Sequence, residues 1–161
     1  VIDPLDGSYN FMRGIPLCAV SIALCQGMTP LAGAVYDFVR DELVHTNETA
    51  GLYRNGERID RAALGGPSSL STGIPAATRS NAEAAAKNAE SLNAWGKVRM
   101  IGSAALSLSW VAQGKLDGYK ETGIRWWDVA GGLALVRASG GNFTVANDDI
   151  WSPLEVSANG R

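Results

Sequence analysis

Two aspartates three residues apart, Asp3 and Asp6 in Val1-Ile2-Asp3-Pro4-Leu5-Asp6-Gly7-Ser8, are the side chains of this sequence best placed to do chemistry. Pro4 fixes its own φ and drives Asp3 towards an extended conformation, so both carboxylates are expected to converge from a stiff corner. Convergent carboxylates repel each other unless a cation joins them. Hard oxygen donors select Mg²⁺, Mn²⁺ or Ca²⁺, and the same bend can turn the Leu5 carbonyl towards the ion. Ser8 reads as a helix N-cap, and a helix N-terminus beside divalent cations is a phosphate site. Taken alone, the segment also reads as a type I turn, which Pro and Gly at these offsets suit.

These side chains need elements to hold them. Val1 and Ile2 read as the end of a buried strand, Tyr9 to Met12 as a short helical turn, and Leu17 to Leu24 as a central strand apolar on both faces. Turns at Gln26 to Pro30 and at Asp41-Glu42 separate the strands Leu31 to Tyr36 and Leu43 to Thr46. Leu52 to Arg54 and Glu57 to Ile59 flank Asn55-Gly56, the pair that suits a type I′ hairpin. The first part of the chain is thus an expected antiparallel meander, and Gly65 to Ser69 reads as a linker.

Beyond the linker the pattern becomes α/β. Ile74 to Thr78 reads as a short strand, and Ser80 with Glu83 as a capping box before a helix that runs to about Leu92. Val98 to Ile101 reads as a buried strand. Gly102-Ser103 opens a second helix, with Leu106, Trp110 and Val111 on one face and Gly114 as its C-cap. After a strand at Leu116 to Lys120, Asp128 reads as the N-cap of a third helix, Val129 to Ser139, stopped by Gly140-Gly141. Strands at Asn142 to Ala146 and Glu155 to Ala158 follow. Strands that run into helix N-termini at Asp6 to Ser8, Gly102-Ser103 and Asp128 are expected to gather a ligand site. Asp128 would bring a third carboxylate, enough for two cations that clamp an in-line phosphoryl displacement.

Composition narrows the partners. With 161 residues, 46% hydrophobic, 19% charged and a net charge of -2, the chain is globular and offers no basic field for nucleic acid. No stretch approaches the ~20 apolar residues of a membrane span. Cys18 and Cys25 fall on opposite faces of one expected strand, roughly 23 Å apart, and cannot pair with each other. Unpaired cysteines favour a reducing, cytoplasmic setting. His45, the only histidine, reads as structural. Trp126 and Trp127 read as packing residues, one of them able to border a pocket, and Arg125 as a solvated arginine.

Asp3-Pro4-Leu5-Asp6-Gly7-Ser8 with Asn10-Phe11, and Trp127-Asp128-Val129-Ala130-Gly131-Gly132, resemble the two signature motifs of the inositol monophosphatase family of Mg²⁺-dependent phosphatases. Gly102-Ser103-Ala104-Ala105 and Tyr119-Lys120-Glu121-Thr122-Gly123 fall in order between them, where that family has its Gly-Thr-Ala-Ala and Glu-containing segments. The resemblance implies an α/β (α+β) fold, a layered αβαβα sugar-phosphatase sandwich. Residues 1–66 would be the second half of an antiparallel-sheet domain carrying the metal motif, and 67–161 a C-terminal α/β domain. Asp3, the Leu5 carbonyl, Asp6 and Asp128 would ligate two or three Mg²⁺ ions, with Mn²⁺ as a substitute. Asp6 and Ser8 would be catalytic, the Ser8 hydroxyl orienting the attacking water. Gly7 and Ser8 would bind the phosphate, and Gly102, Ser103, Ala104 and Glu121 the alcohol moiety.

The implied substrate is a small phosphorylated polyol or sugar, with inositol monophosphate and fructose 1,6-bisphosphate first and 3′-phosphoadenosine 5′-phosphate or histidinol phosphate as alternatives. A non-catalytic metal- and phosphate-binding module of the same fold is the competing reading. The intact protein is an expected homodimer. The family carries an upstream Glu-rich segment that supplies a further metal ligand, and this chain opens inside a strand without Met. It is therefore expected to be a fragment, weakly active at best by itself.

Overall fold

A computed structural model describes residues 1–46, 51–61, 68–73 and 82–160. The expected strand at Ile74 to Thr78, the Ser80 cap and the Gly65 to Pro67 part of the linker lie outside these residues.

Six strands form one antiparallel meander in chain order: β1 (Ile2–Asp6), β2 (Ala19–Gln26), β3 (Thr29–Asp37), β4 (Glu42–Thr46), β5 (Leu52–Arg54) and β6 (Glu57–Ile59). A short helix, α1 (Ser8–Met12), links β1 to β2. The β5-β6 hairpin turns on Asn55 and Gly56 at φ 50° and 83°, the left-handed pair that a type I′ turn requires. The second sheet takes its strands from β7 (Ser69–Thr72), β8 (Lys97–Arg99), β9 (Gly118–Ile124), β10 (Asn142–Ala146) and β11 (Leu154–Asn159) in the order β10-β11-β9-β7-β8. β7 runs parallel to both its neighbours, and the other pairs are antiparallel. Helix α2 (Ala82–Leu92) lies between β7 and β8 in sequence.

Helices α3 (Ala104–Gln113) and α4 (Trp126–Ala138) pack on each other and touch both sheets. Their composition explains the position. Residues 129–136 of α4 are buried all round, as are nine of the ten residues of α3, so neither helix has a face suited to water. One continuous core joins Ala19, Val35 and Val44 of the first sheet to Leu106, Leu108, Leu133 and Leu135 of the helices and Val156 of the second sheet. The mixed α/β class inferred from the sequence is the one observed. Among the described residues no helix is long and apolar enough to cross a membrane, and Cys18 and Cys25 are free thiols.

Several expectations fail for identifiable reasons. Pro4 lies inside β1 and not in a turn, while Val1 and Ile2 are exposed. β2 buries alternate residues only: Ile22 and Leu24, 47% and 65% exposed, form an uncovered face. Ser69 belongs to a strand and not to the linker, because Leu70, Ser71 and Thr72 are buried between β8 and β9 despite their modest β-propensity. The strand placed at Val98 to Ile101 is the shorter β8, at the sheet edge, with Val98 only half-buried. Ser8 is the first residue of α1, capped by Gly7, and is not itself the cap.

Candidate metal and phosphate site

Residues three apart in a regular strand point to opposite faces, yet Asp3 and Asp6 are both buried on one. The cause is a bulge. Asp3 pairs with Ser21 and Asp6 with Ala19, so three steps along β1 match two along β2, and Pro4-Leu5 take up the extra residue. The Leu5 amide donates to Asp3 Oδ1 at 3.1 Å and holds that carboxylate in place.

Asp128 arrives from the other side of the core. It occupies the third position of α4 and not its N-cap, which is Arg125. Its Oδ2 reaches back to accept from the Arg125 amide at 3.0 Å. The helix starts three residues earlier than the sequence suggests because Trp126, 2% exposed, anchors its first turn in the core. Each of the three aspartates nevertheless brings one oxygen within 4.8 Å of the others. The donor set is three hard, anionic and largely desolvated oxygens, which fits a divalent cation such as Mg²⁺ or Mn²⁺.

The electrostatics fit the same conclusion. Burial pushes the Asp6 carboxyl up to about 6 against the pull of its Ser103 and Ala105 hydrogen bonds, and Asp3 raises it further. Burial likewise raises Asp128 to about 7, with Asp6 and Asp3 adding to the effect over the opposing Arg125 amide. Without a cation the cluster relieves its repulsion by holding protons.

Asp6 is tied to the start of α3. Its Oδ2 accepts from the Ser103 hydroxyl and from the Ala105 amide at 2.9 Å, with the Ala104 amide also facing it. Ser103 Oγ in turn accepts from the Leu106 amide at 3.2 Å as the cap of α3. The first amides of this helix thus serve Asp6. Gly7, at φ 76°, makes the turn from β1 into α1. A side chain there would strike the Leu17 carbonyl oxygen at 2.6 Å, so both conformation and space demand glycine.

A cavity of about 370 Å³ opens over this cluster. Every residue expected from the sequence to hold metal or substrate borders it: Asp3, Leu5, Asp6, Gly7 and Ser8 from β1 and the start of α1, Gly102, Ser103 and Ala104 at the head of α3, and Glu121 and Asp128 from β9 and α4. Tyr9, Gly73, Ile124 and Trp127 complete the wall. Of these only a tryptophan of the 126–127 pair carried a signal in the sequence. Gly73 sits at the end of a strand whose small polar residues resemble a linker. Arg125 is not merely solvated: its guanidinium lies over the Trp127 ring and donates to the Trp151 carbonyl at 2.7 Å. His45 stacks on Tyr53 in the first sheet and lines none of this cavity.

A layered α/β fold that gathers three carboxylates and two helix starts around one polar cavity defines a metal-site architecture suited to a phosphorylated ligand. The chain belongs to the inositol monophosphatase family, whose sequence model matches residues 1–159. It is 43% identical to the Nus factor SuhB of Xylella fastidiosa over 145 residues, which cover 88% of this chain and 52% of that protein. It is 37% identical to the fructose-1,6-bisphosphatase/inositol-1-monophosphatase of Thermococcus kodakarensis over 158 residues, 97% of this chain and 57% of the relative. The solved inositol monophosphatase of Anabaena (Nostoc) superposes with a TM-score of 0.84 at 34% identity, over 99% of this chain and 68% of that one. The chain thus spans little more than half the length of the curated relatives it matches.

Proposed function

We propose that the protein carrying this chain hydrolyses the phosphomonoester of a small polyol or sugar, with Mg²⁺ held by Asp3, Asp6, Asp128 and the Leu5 carbonyl. The observation that carries the reading is the convergence of three aspartates within 4.8 Å at the floor of a polar cavity. Bound there, divalent cations would neutralise charge on the transferring phosphoryl group and make water a competent nucleophile near neutral pH. The residues of this chain do the remainder. Gly7 and Ser8 offer amides to the phosphate where β1 gives way to α1, and the Ser8 hydroxyl, exposed at the cavity edge, orients the incoming water. Asp6, held by Ser103 and the Ala105 amide, keeps its other oxygen for the cation. Glu121, across the cavity from β1, accepts a hydroxyl of the alcohol moiety, supported by Gly102, Ser103 and Ala104 around the head of α3.

Inositol monophosphate and fructose 1,6-bisphosphate lead the candidate substrates, since relatives bear both names. The test is phosphate release by the intact protein from these two esters, 3′-phosphoadenosine 5′-phosphate and histidinol phosphate as Mg²⁺ is titrated. Mg²⁺-dependent release that is lost in Asp128→Asn supports the reading. Metal binding with no release from any of the four would sink it in favour of a binding role for the same fold. The name Nus factor SuhB borne by similar proteins favours that second reading.

A further inference from the structure

The structure assigns to Tyr119 and Gly73 the task of aiming Glu121, so that a single carboxylate oxygen reads a hydroxyl of the bound phosphate ester. This rests on the phosphatase-site reading above and makes a wall of that site selective for hydroxyl-bearing ligands.

Tyr119 and Glu121 are two residues apart in β9, so their side chains share a face. The tyrosine is 1% exposed, and its ring is one of the largest fully buried groups in the core. Only its hydroxyl reaches the polar region, where it donates to Glu121 Oε2 at 2.9 Å. A hydroxyl at the end of a ring locked in a close-packed core is a fixed point, unlike a donor on a flexible stem. Burial raises the Glu121 carboxyl, and the Tyr119 bond pulls in the opposite direction, towards the charged acceptor form.

The second constraint comes from β7. Gly73 follows that strand, and a Cβ there would fall on Glu121 Oε1 and its carboxyl carbon. The carboxylate therefore lies against glycine backbone with Oε1 nearest, in space that the Cβ of any other residue would occupy. Oε2 is committed to Tyr119. Oε1 lies on the Gly73 side, and both residues border the cavity. Among the described residues no other side chain or amide bonds the Glu121 carboxylate, so Oε1 keeps its lone pairs for a ligand. A carboxylate so placed accepts from O–H and repels a second anion, which selects a neutral hydroxyl on the alcohol part and disfavours a second phosphate at that point.

The experiment compares two probes in the intact protein with Mg²⁺: inositol 1-phosphate, rich in hydroxyls, and phenyl phosphate, which has none on its alcohol part. Selectivity is the ratio of their kcat/KM values where they are hydrolysed and of their calorimetric affinities where they are not. Tyr119→Phe removes one oxygen from the core and is expected to lower the ratio about tenfold, the scale of a hydrogen bond to a charged group. Gly73→Ala lowers it in the same sense, since only the end of a flexible side chain must move. In a Glu121→Gln background, Tyr119→Phe should change the ratio by less than about twofold, because coupled residues are not additive. A ratio untouched by both Tyr119→Phe and Gly73→Ala, or full additivity with Glu121→Gln, overturns the assignment. Absence of hydrolysis of both esters by the unmodified protein overturns the phosphatase reading instead, and the affinity ratio still decides this one.

Discussion

Asp6 and Ser103 lie 97 positions apart in the chain and share a buried hydrogen bond in which the serine hydroxyl donates to the carboxylate. The same oxygen of Ser103 caps α3 by accepting from the Leu106 amide. One hydroxyl therefore couples the stability of a core helix to the orientation of a proposed cation ligand. Ser103→Ala is expected to cost about 1 kcal/mol of stability through the lost cap. It should also weaken Mg²⁺ binding about tenfold, as loss of a partner behind a ligand does. Chemical denaturation and calorimetric Mg²⁺ titration separate the two effects. A stability loss with unchanged affinity would confine Ser103 to capping.

The raised carboxyls set the pH response. Asp6 and Asp128 titrate near 6 and 7 when folded, above the ordinary 3.8 of an unfolded aspartate, so the metal-free folded state holds more protons between those limits. Stability from these two groups accordingly falls as pH rises from about 4 through 7 and levels off above it. Mg²⁺ requires the deprotonated forms, so its affinity must move the other way and its binding must release protons. Thermal melts in EDTA should show a declining contribution from pH 5 to 8, which Asp128→Asn flattens. Saturating Mg²⁺ should raise the melting temperature more at pH 8 than at pH 5. Equal Mg²⁺ stabilisation at both pH values would contradict the cation site.

Asn10 is a buried staple. Its Nδ2 faces three carbonyl oxygens, those of Leu17 at 2.8 Å, Ile101 at 2.9 Å and Gly102 at 3.3 Å, and so pins α1 to the approach to α3. Asn10→Ala leaves these carbonyls without their donor at a cost of about 1 to 3 kcal/mol. Asn10→Asp, nearly isosteric, should be worse, because it turns an acceptor towards three acceptors. Urea unfolding of the two variants checks the order, and an aspartate variant as stable as the native protein would show that water or a proton fills the gap.

How much of this was legible in the sequence depends on whether the deciding contact is local. The Asn55-Gly56 hairpin, the start of α3 at Gly102-Ser103 and its terminus at Gly114 were readable because each is decided within a few residues. The convergence of Asp3 and Asp6 was anticipated for an incomplete reason. Pro4 stiffens the segment, but the bulge that puts both on one face exists only in the register with β2, which no local pattern encodes. Asp128 was misplaced by a few positions because Trp126, two residues ahead of it, starts the helix through tertiary burial and not through capping propensity. Ile22 and Leu24 read as buried because apolar residues do not announce which face a neighbour covers. Gly73 was silent, since its importance is a side chain from another strand lying against it.

The glycine after Asp128-Val129-Ala130 has a similar hidden reason. Gly131 lies one turn beyond Asp128 on α4, and a Cβ there would drive into Ser21 Oγ and come within 3.0 Å of the Ile22 carbonyl. Gly33 on β3 meets the same stretch of α4, its own missing Cβ pointing at the Gly131 carbonyl and at Ala134. The pair lets helix and sheet approach more closely than any larger residues would permit, and that approach sets the gap between Asp128 on the helix and Asp3 and Asp6 on the sheet. Gly131→Ala is expected to cost about 1 to 3 kcal/mol by overpacking, although alanine is the better helix former by about 1 kcal/mol. Because the new methyl meets a short, buried serine side chain backed by the Ile22 carbonyl, α4 is expected to move outward and the three-carboxylate cluster to widen. Mg²⁺ affinity should then fall together with the melting temperature, whereas Gly56→Ala, at an open hairpin turn far from α4, should lower stability alone. If Gly131→Ala kept full Mg²⁺ affinity, the spacing of helix and sheet would not be what holds Asp128 to the other two.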